Sequence, residues 1–80
     1  MDNKHKIDEF IELAENEDLE DIRFESFKFN NIPWYKIYFK YHKQKGSYDV
    51  SEHSFSRCDN YTIIKEILRG FIKPWMKWKY

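Results

Sequence analysis

Eighty residues with 20% aromatics and 41% hydrophobic side chains suit one small domain, since so much apolar surface excludes a disordered chain even though a fold of this size buries only about 60% of its unfolded surface. One cysteine, Cys58, excludes a disulfide-stapled secreted scaffold and leads us to expect a cytoplasmic setting, and with no apolar run near the 18 residues of a membrane span and no apolar stretch in residues 1–10, neither a span nor a leader is expected. The 14 basic and 14 acidic side chains cancel only in total: residues 1–27 carry ten acids against Lys4, Lys6 and Arg23, and residues 28–80 carry eleven bases against Asp49, Glu52, Asp59 and Glu66.

In chain order, Ile7, Phe10, Ile11 and Ala14 recur at helical spacing and predict a short amphipathic helix ending near Asn16, with Asp2 or Asn3 as its cap. Its other face carries Asp8, Glu9, Glu12 and Glu15, and Glu17, Asp18 and Asp21 follow. From Leu19 to Phe29 the period changes to two, which predicts a strand. Asn30 and Asn31 tolerate positive φ and suit a hairpin turn. A second strand is expected over 33–43 and a third from Tyr48 to about Phe55, with the turn between them placed at Lys45 and Gly46. Asp59 or Asn60 would cap a last helix carrying Ile64, Ile67, Leu68, Phe71 and Ile72, which Pro74 stops or kinks. The expected fold is α+β: a three-stranded antiparallel β-meander with an N-terminal and a C-terminal helix on one face, as a single domain over residues 1–80.

Two-residue turns at those sites set the register. They pair Phe29 with Ile32, Phe24 with Ile37, Ile22 with Phe39, Tyr41 with Val50 and Lys43 with Tyr48, so apolar residues of all three strands face the helices. The outer face then pairs Glu25 with Lys36, Asp21 with Lys40, Arg23 with Tyr38, His42 with Asp49 and Tyr38 with His53. Acids and bases cancel there, which argues against a phosphate backbone lying on it. One end of that face collects Phe27, Phe29, Ile32, Trp34 and Phe55, an aromatic patch covered by the C-terminal residues, by a partner or by a second copy of the chain.

Catalytic signatures are sparse. His42, His53, Cys58, Asp49 and Asp59 match no zinc-ligand spacing, so neither a metal nor another cofactor is expected. A histidine ribonuclease would use His42, His53, Lys40 and Tyr38, but the expected register sets the two imidazoles roughly 13 Å apart at about 3.3 Å per residue, too far to act on one phosphate. Helix, three strands, helix is also the order of double-stranded RNA-binding domains and of small toxin ribonucleases with a histidine beside Gly-Ser. The chain resembles them in that order alone: Tyr48 follows Gly46 and Ser47, and no basic cluster opens the last helix. With two glycines in all, phosphate loops and nucleophile elbows are excluded.

Binding is therefore the expected mode of action. Lys, Ile, Asn, Tyr and Phe supply 38 of the 80 residues, a bias of A+T-rich codons that suits a low-GC bacterium, its phages or its plasmids. The leading expectation is a non-enzymatic inhibitor or adaptor directed at a host protein, such as a defence nuclease inhibited in the manner of anti-CRISPR proteins. The acidic edge (Asp8, Glu9, Glu12, Glu15, Glu17, Asp18, Asp21) would imitate a phosphate backbone, and the patch of Phe27, Phe29, Trp34 and Phe55 would anchor the partner. The alternative is nucleic-acid binding through Arg69, Lys73, Trp75, Lys77, Trp78 and Lys79, and a weaker one is a small ribonuclease that depends on His42 as a general base beside Asp49.

Overall fold

The computed structural model describes residues 3–71. Helix α1 (Lys4–Asn16) leads into strands β1 (Leu19–Phe29), β2 (Ile32–Tyr41) and β3 (Gln44–Ser51), followed by helices α2 (Glu52–Arg57) and α3 (Asn60–Phe71). The strands form one antiparallel sheet in the order β1-β2-β3. This is the expected α-β-β-β-α meander, with the second helical region divided in two. Ile72, Pro74 and the bases and aromatics beyond them lie outside the described residues.

Three local choices separate the actual sheet from the expected one. The first hairpin turns at Asn30 and Asn31 with φ of 52° and 64°, the paired left-handed conformation that matches strand twist. Phe29↔Ile32 and Phe24↔Ile37 pair as expected, but the register shifts between Glu20 and Arg23. Asp21, at φ 51°, is the extra residue of a β-bulge. The bulge lets Leu19 and Ile22, three apart, both face the helices: Leu19 pairs with Tyr41 and is 2% exposed. Lys40 consequently pairs with Glu20, not Asp21.

The second correction concerns the turn between β2 and β3, which lies at His42 and Lys43, not Lys45 and Gly46. Gly46 sits within β3 at a negative φ, opposite Phe39. A Cβ there would come within 2.7 Å of Phe39 Cε1 and 3.4 Å of Phe71 Cζ. Its role is to make room for two rings, not to bend the chain. The new register pairs Tyr35↔Val50 and Ile37↔Tyr48 in place of Tyr41 with Val50 and Lys43 with Tyr48. Because both registers keep the same parity, Tyr48 and Val50 stay on the helix-bearing face.

Third, β3 stops at Ser51, whose hydroxyl accepts the Ser54 backbone N–H at 3.1 Å and starts α2. Phe55 is therefore a helical core residue, fully buried, and not part of the outer patch. Its ring meets those of Phe10, Phe24 and Tyr35 at 5.9, 5.5 and 5.3 Å between centroids. Ile37, Ile63, Ile64, Ile67 and Val50 complete this core between sheet and helices.

Two buried asparagines tie the helices to it. Asn3 precedes α1 but makes no side-chain cap bond; its Nδ2 donates to Tyr35 Oη at 3.1 Å and its Oδ1 accepts from Ser56 Oγ at 3.0 Å. Asn60 Nδ2 donates to the Lys6 carbonyl at 3.1 Å and to Glu9 Oε1 at 2.7 Å, fastening α3 to α1. The Asp59 carbonyl accepts the first N–H groups of α3 from Thr62 and Ile63.

Candidate functional site

The outer face of the sheet bears none of the described helices and reads as rows across the strands: Glu20-Lys40-Lys45, Arg23-Tyr38-Ser47, Glu25-Lys36-Asp49, Phe27-Trp34-Ser51 and Phe29-Ile32. Rows, not single strands, decide its chemistry, because directly opposed side chains lie about 5 Å apart. The middle rows are internally satisfied. Lys36 Nζ is 3.9 Å from Asp49, the Tyr38 hydroxyl donates to Glu25 at 3.1 Å, and the Arg23 guanidinium lies 4.7 Å from the Tyr38 ring centre.

At the apolar end, Phe27 and Trp34 stack with centroids 6.3 Å apart. Beyond them the first hairpin continues past Trp34↔Ser51, the last pair that β3 makes, and projects as a two-stranded arm. Lys28, Phe29, Asn30, Asn31, Ile32 and Pro33 are all exposed on it. Phe29 and Ile32 are 60% and 50% exposed at its tip. Of the expected patch, Phe27, Phe29 and Trp34 are thus brought together with Ile32, while Phe55 is withdrawn into the core. A Ser-Glu pair at the strand end was the signal for that withdrawal, since Ser51 caps and Glu52 favours a first helical turn.

The acidic edge is displayed as expected. Asp8, Glu9, Glu12, Glu15, Asp18 and Asp21 are exposed and Glu17 is half-buried. Glu9 is engaged by Asn60, whereas Asp8, Glu12, Glu15, Asp18 and Asp21 stand in no ion pair with another described residue.

The histidines do not share a face. His42 sits in the β2–β3 turn at φ 48°, its ring against Tyr41, and His53 lies in α2. Their expected partners are taken over: Lys36 engages Asp49, and Ser47 pairs with Tyr38. A groove of about 340 Å³ runs beside β3, lined among others by Trp34, Tyr48, Cys58 and Glu66. Burial there raises the Tyr48 phenol above its usual value, with the charges of Glu66 and Cys58 adding to the effect. Among the described residues no three His, Cys, Asp or Glu side chains are grouped to hold a metal ion, and no helix is long and apolar enough to cross a membrane.

Of the nucleic-acid alternative, Arg69 is described: it is exposed in the last turn of α3 and 3.5 Å from Glu66. Lys73, Trp75, Lys77, Trp78 and Lys79 lie outside the described residues. No family model, curated protein or solved structure matches the chain.

Proposed function

We propose that this protein acts by binding another protein, as a small inhibitor or adaptor, and that the projecting hairpin arm is its principal contact. The observation that carries the reading is the exposure of Phe29 and Ile32 at 60% and 50% on an arm that, among the described residues, neither helix nor third strand covers. Keeping large apolar side chains in water has no benefit for folding, whereas aromatic anchors inside a polar rim are what protein interfaces use. Phe27 and Trp34 continue the surface, and Lys28, Lys36 and Glu25 border it.

The acidic edge supplies a second contact region suited to a basic groove on the partner, as a host nuclease would offer, where carboxylates compete with a nucleic-acid backbone. The test is capture of a stoichiometric partner from a bacterial lysate by the wild-type chain and by the double variant Phe29→Asp, Ile32→Asp. Both should fold alike, and only the wild type should retain the partner. Equal capture by the variant, or none by either, refutes the reading.

A further inference from the structure

The opposite end of the outer face presents a different anomaly. The β2–β3 register sets Lys40 directly across from Lys45, and like charges so placed destabilise a sheet. Glu20 faces Lys40 from the other side, but neither Lys40 nor Lys45 lies within ion-pair distance of a described carboxylate. In the next row Arg23 rests on the Tyr38 ring, not on an acid. These three cations border a depression of about 550 Å³ at the β-bulge, lined also by Asp21, Ile22, Tyr38, Phe39 and Gly46. Carboxylates face it too: Asp21 is in the lining, Glu20 is paired by register with Lys40, and Glu25 is engaged by the Tyr38 hydroxyl.

From this placement we propose that Arg23, Lys40 and Lys45 form a binding site for a phosphate-bearing small molecule. A dianionic phosphate over the Lys40-Lys45 pair converts a repulsion into two attractions, and the Arg23 guanidinium offers a planar pair of donors beside it. The depression exceeds what one phosphate fills and falls in the range of small-ligand sites. Its Asp21 carboxylate suits a hydroxyl on the remainder of the ligand. In the middle rows Lys36 closes on Asp49 and Arg23 on the Tyr38 ring, whereas Lys45 has another lysine as its cross-strand neighbour and neither it nor Lys40 closes an ion pair with a described carboxylate. The site is at the far end of β1 from the arm, so it stands or falls apart from the protein-binding reading.

The experiment is amide chemical-shift mapping and thermal melting of the full chain with inorganic pyrophosphate, at ionic strength held constant with sodium chloride. Shifts should concentrate at Arg23, Tyr38, Lys40 and Lys45, the melting temperature should rise with pyrophosphate, and Lys45→Gln should weaken binding about tenfold or more, as expected for one charged hydrogen bond. Lys45→Glu should melt higher than wild type without pyrophosphate, because it replaces the repulsive pair, and should lose the pyrophosphate response. Shifts spread evenly over Lys28, Lys36 and Lys65, an unchanged affinity in Lys45→Gln, or a lower melting temperature for Lys45→Glu in the absence of anion would each overturn the proposal.

Discussion

Gly46 illustrates how a single residue governs both packing and the reading of the sequence. Its missing side chain admits the Phe39 ring, which is 6% exposed and meets Phe71 edge-on at 5.5 Å. Restoring a Cβ removes some backbone entropy from the unfolded chain, worth about 0.5–1 kcal/mol in favour of folding. It also forces a 2.7 Å approach to Phe39 Cε1, and overpacking of this kind costs about 1–3 kcal/mol. The ring is buried and held edge-on against Phe71, so the steric cost prevails. Gly46→Ala should destabilise the domain by about 1–2 kcal/mol in urea denaturation, and an unchanged midpoint would show that the two rings can shift together. The same residue misleads a reader of the sequence, because Lys-Gly between two apolar runs has the look of a hairpin turn.

At the scale of elements, turn chemistry explains which parts of the fold were legible. Asn30 and Asn31 announce a left-handed pair, and the strands around them were placed correctly near the turn. His42 and Lys43 adopt the same conformation, with φ of 48° and 69°, yet His tolerates it less conspicuously than Asn or Gly and Lys43 has no chemistry that favours it. The tertiary pairing imposes the turn, by matching Phe39 with Gly46 and Tyr35 with Val50. The bulge at Asp21 was equally hidden, because strict alternation sends Leu19 outward and only the closing of the core draws it in. Face assignments nevertheless survived at Tyr48 and Val50, since a slip that preserves parity leaves the same side chains inward. The capped start of α2 was misread as strand, and with it Phe55.

The strained turn makes its own prediction. Non-glycine residues at positive φ cost about 1–2 kcal/mol each, and Asn-Gly is the sequence best fitted to this turn. Exchanging both residues, His42→Asn with Lys43→Gly, should stabilise the domain by about 1 kcal/mol, after allowance for the lost His42 contact with Tyr41 and the entropy of a new glycine. In a domain of this size that is a rise of about 4–8 °C in melting temperature. A fall would mean that the ring contact on Tyr41 outweighs backbone strain.

For the whole molecule, the shape records a division of labour along the first hairpin. Over residues 3–71 the Cα radius of gyration is 13.3 Å and the principal extents are 43 × 27 × 21 Å, against about 11 Å expected for a globule of that length. The core occupies the part of the sheet where β3 and the helices are present. Past Trp34 the two strands continue without either, so Lys28↔Pro33 and Phe29↔Ile32 contribute little burial. An isolated two-stranded ribbon is marginal in water, and this one holds because its base is continuous with the packed sheet. Replacing residues 28–33 by Asn-Gly would join Phe27 to Trp34, an existing cross-strand pair, through a turn of the same type. The shortened chain should fold with stability within about 1 kcal/mol of the parent, as surface changes away from the core usually do, and should lose the capture of any protein that depends on the arm. Urea denaturation followed by tryptophan fluorescence measures the first expectation. A chain that fails to fold would show that the arm belongs to the structural core after all, and its exposed Phe29 and Ile32 would then need a structural explanation before a functional one.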